Sequence, residues 1–283
     1  MTSGTQGRSG RPGDGRAAGS PEGESAARLA DVCSRRATVY EVLATGLAEP
    51  TPALVAVLDG GGLVQALREA VAWLGPDAAA YDTALGLLER AARTDGTPLA
   101  RPHDETAAGS AAAASDDRLV ELRVEHARLF TGPGQSAVMC YASQYVDADE
   151  RGPGRLNGAA AAYAAAAYRE SGVGVVPERG ELADHVTLEL EFLFHLCRRE
   201  DDAWAAGDDE AAEAAQRAMH RFLREHAARW LPAFAGAVRT ATTFDLYRGL
   251  ATLLSAHLSV ELHEGGGRRV AGRTRTDGVT WIG

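Results

Sequence analysis

The apolar positions of this chain recur at three-and-four spacing over most of its length, the period of a helix with one buried face. Leu29, Val32, Cys33, Val39, Tyr40, Val42, Leu43 and Leu47 trace such a face until Pro50 interrupts it, predicting a long amphipathic helix from about Ser25. Leu63, Leu67, Val71 and Leu74 predict a second helix, and Tyr81, Leu85, Leu87 and Leu88 a third, with Gly75-Pro76 breaking the chain between them. A further helix opens near Asp116-Asp117, whose carboxylates suit the positive end of a helix dipole, and runs through Leu119, Leu122, Val124, Leu129 and Phe130. After an irregular stretch to about Gly154 comes an alanine-rich helix ending at Ser171. The strongest stripe follows: Leu182, Val186, Leu190, Leu193, Phe194 and Cys197 share one face. Beyond the acidic break at Gly207-Asp208-Asp209, Met219, Phe222 and Leu223 carry a helix to His226. Trp230-Leu231-Pro232 then redirects the chain into a last helix over about Phe244 to Leu262.

Strand signals are scarce, because β-branched residues come in ones and twos and aromatics make up 6% of the chain. The fold class is therefore all-α: a single-domain bundle of about ten helices spanning residues 25–263. Residues 1–24 and 264–283 are expected to be disordered tails, since they carry too few large apolar side chains to offset the entropy of ordering. The low-complexity stretch 94–115, with Pro98, Pro102 and a run of alanines, is expected to be a flexible insertion that hinges two packed halves.

Composition narrows the function. The net charge is −10, and all the basic residues are arginine, so a phosphate backbone is repelled and nucleic acid is excluded as a partner, while cationic partners are favoured. Acidity also serves solubility alone. Cys33, Cys140 and Cys197 are far apart and odd in number, which signals neither a disulfide framework nor a zinc or redox CxxC, and fits a reducing cytoplasm. The N-terminus lacks an apolar core of the signal-peptide kind, and no stretch reaches the length of a membrane span, so membrane insertion is not expected. No Gly-x-Ser-x-Gly elbow and no phosphate-binding Lys-Ser/Thr after a glycine triplet is present. His185 with Glu189 and Glu191 with His195 are each spaced four apart, but the two pairs lie on opposite sides of one helix, and the Glu-x-x-His of di-iron bundles is missing. Neither an enzyme nor a metal or other cofactor is expected.

Two segments exceed the grammar of a helical bundle. One is Glu125-His126-Ala127-Arg128-Leu129-Phe130-Thr131-Gly132-Pro133-Gly134 with Tyr141-Ala142-Ser143-Gln144-Tyr145 close behind; the other is Asp184-His185-Val186-Thr187-Leu188-Glu189-Leu190-Glu191-Phe192. Together they resemble the TorD/DmsD/NarJ family of molybdoenzyme-maturation chaperones. The likeness runs from about Arg28 to Leu262 and is strongest from Glu125 to Phe234. It departs from the family pattern at Met139-Cys140 and Ala142, where prolines and a glutamate are usual around the tyrosine.

The resemblance implies a cytoplasmic chaperone that binds the leader peptide, the apo-form, or both, of a molybdopterin oxidoreductase subunit. It would hold that client for cofactor insertion, prevent premature twin-arginine export, and act as a monomer or a domain-swapped dimer. A generic helical interaction scaffold is the alternative, and a helical metalloenzyme a more distant one. Asp184, His185 and Glu189 set acceptors where a guanidinium makes charge-assisted bonds; equally, Asp184 caps the helix and His185 satisfies a buried carbonyl. Tyr141 and Tyr145 line an apolar groove for the leader, or are core. Gly132, Pro133 and Gly134 end a helix and, with Ser143, border the cleft.

Overall fold

The computed structural model describes residues 21–93, 107–131, 136–150, 152–175 and 180–267. Among them lie eleven α-helices and no β-strand beyond two isolated bridges. The helices are α1 (Pro21–Leu47), α2 (Pro52–Asp59), α3 (Gly62–Val71), α4 (Asp82–Arg93), α5 (Ala107–His126), α6 (Ser143–Val146), α7 (Ala159–Glu170), α8 (Val186–Ala206), α9 (Asp209–Glu225), α10 (Leu231–Ala241) and α11 (Asp245–Gly267). A 3₁₀ turn carries Ala72–Tyr81 through Gly75-Pro76, and α5 widens into one π turn at Ala127–Thr131.

Local chemistry sets several of these ends. Thr51 caps α2 by accepting from Leu54 N–H at 3.2 Å, with Pro52 opening the first turn, where its missing N–H costs nothing. Gly207 closes α8 in the left-handed region at φ 72°, and Asp208 immediately caps α9 through Ala211 N–H at 3.0 Å.

Some boundaries differ from expectation. The alanine run, residues 107–115 of the expected flexible insertion, is the first half of α5, because alanine has the highest helix propensity. Likewise α1 begins at Pro21 and α11 runs into its glycine triplet, each extending a turn past the expected end, since propagating a helix is easier than starting one. Pro232 does not merely redirect the chain; it occupies the first turn of α10, a helix the spacing pattern did not predict. Val124, expected on the apolar face of α5, is 65% exposed, whereas Leu119, Leu122 and Leu129 are buried. The expected tails 1–20 and 268–283, and residues 94–106 of the expected insertion, lie outside the described residues.

One contiguous core runs through all these helices, with Tyr40, Tyr81, Phe222, Trp230, Phe234 and Tyr247 among its fully enclosed side chains. Each large side chain so enclosed contributes roughly 1.5–3 kcal/mol over leaving it in water. Helix α1 is central, packing on α8 along one side and on α11 along another. Both partners run antiparallel to it: Arg36 meets Glu261 and Tyr40 meets His257 on α11, while on α8 Arg36 meets Glu200 and Ala44 and Ala48 lie beside Glu191 and Phe194. Gly46 lets α1 and α11 close up: a Cβ there would sit 2.7 Å from Leu250 Cδ1.

A buried polar clamp locks this arrangement. Arg36 grips Glu261 with Nε (2.7 Å) and Nη2 (2.6 Å) and reaches Glu200 with Nη1 (3.2 Å). Gln216 donates to the other Glu200 oxygen at 3.3 Å, so α1, α8, α9 and α11 meet at one charge group. His257 stacks edge-on against Tyr40 at 4.6 Å and shares a 2.9 Å hydrogen bond with Tyr81. Burial pushes His257 down to about 4, while Arg36 holds Glu261 below the usual carboxylate range against its own desolvation.

Candidate functional site

The two motif segments, far apart in sequence, are joined backbone to backbone. Ala142 N–H donates to the Asp184 carbonyl (2.9 Å), Val186 N–H donates to the Cys140 carbonyl (2.9 Å), and Tyr141 pairs with His185 in an antiparallel bridge. Asp184 then reaches across: its Oδ2 accepts from Ser143 N–H at 2.8 Å, holding the first turn of α6. Tyr168 steadies the approach to α8 by donating to the Ala183 carbonyl at 2.7 Å. Gly154 approaches the back of the same turn, where a Cβ would fall onto the Ser143 carbonyl oxygen, so only glycine fits.

Helix α8 opens later than the Leu182 stripe suggests. Its N-cap is His185, not Asp184: Nδ1 accepts from Thr187 N–H at 3.3 Å and lies 2.8 Å from the Thr187 hydroxyl. The His185 ring sits edge-on to Tyr141 at 5.0 Å, 3.9 Å from the Glu181 carboxylate, with its side chain 16% exposed. Asp184 is freed from capping because its side chain points back into the 141–146 segment. It is fully enclosed, and its Oδ1 has no hydrogen-bond partner among the described residues.

Glu189, one turn into α8, is also fully enclosed. Oε1 accepts from His226 Nε2 at 2.6 Å and Oε2 from Trp230 Nε1 at 2.9 Å. Burial is the dominant influence and pushes this carboxyl up to about 7, although the His226 and Trp230 donors pull the other way. Tyr163 stacks flat on His226 at 5.1 Å, and Tyr145 packs on Trp230 at 5.6 Å while its hydroxyl donates to the Met139 carbonyl at 2.9 Å.

Of the residues selected from the sequence, Tyr141, Ser143, Asp184 and His185 thus form one junction. Tyr145 and Glu189 are tied to it through Trp230. Gly132, Pro133 and Gly134 lie outside the described residues; just after them, Val138 N–H donates to the Leu129 carbonyl at 2.9 Å, returning the chain onto α5. The Glu125–Arg128 stretch braces the same region. Arg128 makes two hydrogen bonds to Glu125 (2.7 and 2.6 Å) and one to the Ala241 carbonyl, while the Thr242 hydroxyl donates to Glu125.

His226, Trp230 and Tyr163 were missed, and the first two stood in the sequence only as helix boundaries. A signal was available in Glu189, an acid set among the leucines of the strongest apolar stripe, because an enclosed carboxylate demands donors. Among the described residues no group of three or more His, Cys, Asp or Glu could hold a metal ion, and no helix is long and apolar enough to cross a membrane.

The chain belongs to the nitrate reductase delta subunit family, whose model matches residues 77–236 and so takes in the whole junction. Among individual relatives, it is 29% identical over 146 residues to the chaperone protein TorD of Photobacterium profundum, covering 52% of this chain and 64% of that one. It is 31% identical over 150 residues to the chaperone protein TorD of Vibrio cholerae serotype O1, covering 52% and 63%. Against the chlorate reductase assembly chaperone protein of Ideonella dechloratans it is 42% identical over 81 residues, covering 28% and 41%. The chain therefore spans less than two thirds of the length of these relatives. No solved structure matches it.

Proposed function

We propose that this chain is a cytoplasmic chaperone of oxidoreductase assembly, binding the leader peptide and the apo-form of a molybdopterin-dependent enzyme subunit. It holds the client for cofactor insertion and prevents premature twin-arginine export. The observation that carries this reading is the junction itself: the two segments typical of the family are bonded to each other, in a chain whose relatives are named as chaperones.

The roles divide by exposure. Asp184 and Glu189 are enclosed, so they act by holding the 141–146 turn and the start of α8 in register. Direct contact falls to the partly exposed Tyr141 and His185, with the Glu181 carboxylate beside them and Tyr145 behind. A guanidinium placed there finds a carboxylate and an aromatic face, and the tyrosine rings offer apolar contact for the leader's hydrophobic segment. The work is binding without chemistry.

Calorimetric titration with the leader peptide of the oxidoreductase encoded beside this chain tests the reading. Micromolar or tighter binding is expected, weakened at least about tenfold by changing both leader arginines to glutamine or by His185→Ala. Binding of the apo-enzyme but not of the leader would overturn the leader-binding part, and binding of neither would overturn the chaperone reading.

A further inference from the structure

Glu189 and His226 form an enclosed acid–imidazole pair behind the junction. His226 Nε2 lies 2.6 Å from Glu189 Oε1, and the two side chains are only 3% and 0% exposed. Glu189 follows His185 by one turn of α8, its N–H bonded to the His185 carbonyl at 3.0 Å. We propose that this pair makes leader binding proton-linked: docking of an arginine-bearing leader at Tyr141 and His185 expels a proton from the pair to solvent. The inference rests on the leader-binding reading and adds to it a regulation by pH.

The groups facing Glu189 are His226 at the end of α9, Trp230 just before α10 and Asp184 in the turn before α8, and none of these is a fixed cation. Helix α7 contributes Tyr168, whose hydroxyl is taken up by the Ala183 carbonyl, and Tyr163, which stacks on His226 and donates to Glu225. Tyr145 on α6 packs against Trp230 and donates to the Met139 carbonyl. Helix α1 brings its charges to α8 elsewhere: Arg36 meets Glu200, about three turns on, and Glu41 lies beside Glu191, whose side chain leaves the helix on another face.

Electrostatics sets the direction of the linkage. With one mobile proton the pair is neutral, whether that proton rests on the carboxyl or on the imidazole, and without it the pair carries a net negative charge. Burial disfavours the charged form and pushes Glu189 up to about 7, so both forms are populated near neutrality. A leader bound at Tyr141 and His185 brings guanidinium charge to within about one helical turn of the enclosed pair and favours its charged form. A displacement of about one unit releases roughly 0.4 proton at pH 7 and almost none at pH 9.

The test is calorimetric titration of the full chain with the leader peptide of the oxidoreductase encoded beside it, repeated at pH 7 in phosphate and in Tris. The two buffers differ in ionisation heat, so the difference between the two titrations counts protons. Release of about 0.4 proton per leader is expected at pH 7, falling towards zero at pH 9, and about half as much from a leader with both arginines changed to glutamine. Glu189→Gln keeps an acceptor for Trp230 but no titrating carboxyl, and should cut the release at least about fourfold while binding stays measurable. His185→Ala should bind more weakly and still release a proton; circular dichroism checks that each variant stays folded. Release that is lost in His185→Ala but kept in Glu189→Gln would assign the proton to the partly exposed histidine and overturn the proposal. Proton uptake, or binding whose heat is the same in both buffers, would overturn it and leave the leader-binding reading standing, whereas absence of binding would overturn both.

Discussion

Two enclosed carboxylate clusters stand about three turns apart on α8, and they solve the same problem differently. At Glu200, the acid shares the permanent cation Arg36 with Glu261, so a fixed positive charge sits between the two carboxyls. At Glu189, the donors are an imidazole and an indole, and neither supplies a permanent positive charge. The outcome is visible in the carboxyls themselves: Glu261 is held below its ordinary value and Glu189 is lifted to about 7. The first cluster pins the frame of α1, α8, α9 and α11. The second sits behind the junction of the two motif segments, where protonation alters what holds Trp230 and the ring packed on it.

The sharpest break in this comparison is Arg36→Met. It strands two enclosed carboxylates and should cost about 3–5 kcal/mol, read by urea unfolding at pH 7. Adding Glu200→Gln and Glu261→Gln should recover part of the loss, because the charges left unmatched are then gone. If Arg36→Met costs less than about 1 kcal/mol, the clamp does not hold the frame.

The pH dependence comes next and separates the clusters by sign. Glu189 keeps a proton in the folded state that the unfolded chain releases above about 4.5, so its contribution is complete below that pH and lost as pH rises through about 7. A shift of that size corresponds to about 3 kcal/mol. His257 has the opposite sense, refusing a proton that the unfolded chain takes up below 6.5, so its contribution is lost as pH falls from 6.5 towards about 4. Denaturant midpoints measured from pH 4 to 8 should show Glu189→Gln removing the decline on the alkaline side and His257→Gln removing the decline on the acid side. An unchanged alkaline limb in Glu189→Gln would show that the Glu189 cluster does not titrate as described.

The smallest effect is at the rim. His185→Ala removes a cap and should cost about 1 kcal/mol, read by urea unfolding. His185→Asn, which caps equally well, should restore the stability but not the leader affinity, separating the structural part of His185 from its part in binding.

The periodicity of apolar residues was enough to read an all-α bundle, the long α1 and the central α8, whereas Tyr141, Ser143, Asp184 and His185 were singled out by the resemblance of their two segments to the family. Helical burial repeats every three to four residues and capping chemistry acts within a turn, so both leave a local trace. Gly207-Asp208 is one example, read as a break and found to be a C-cap followed at once by an N-cap. The sequence left open whether Asp184 capped α8 or faced a ligand, and the structure shows a third arrangement, a bond to Ser143 forty-one residues away.

The partners of the enclosed acids left no such trace. Arg36 meets Glu261 across 225 positions, and Glu189 meets His226 and Trp230 from helices whose mutual placement follows from packing the entire core. Sequence alone determined which residues turn inward and where most helices lie, because those depend on neighbours a few positions away. Only the tertiary structure decided which donor answers which buried carboxylate. That pairing depends on where separate helices cross, and the desolvation that makes it matter exists only once they have.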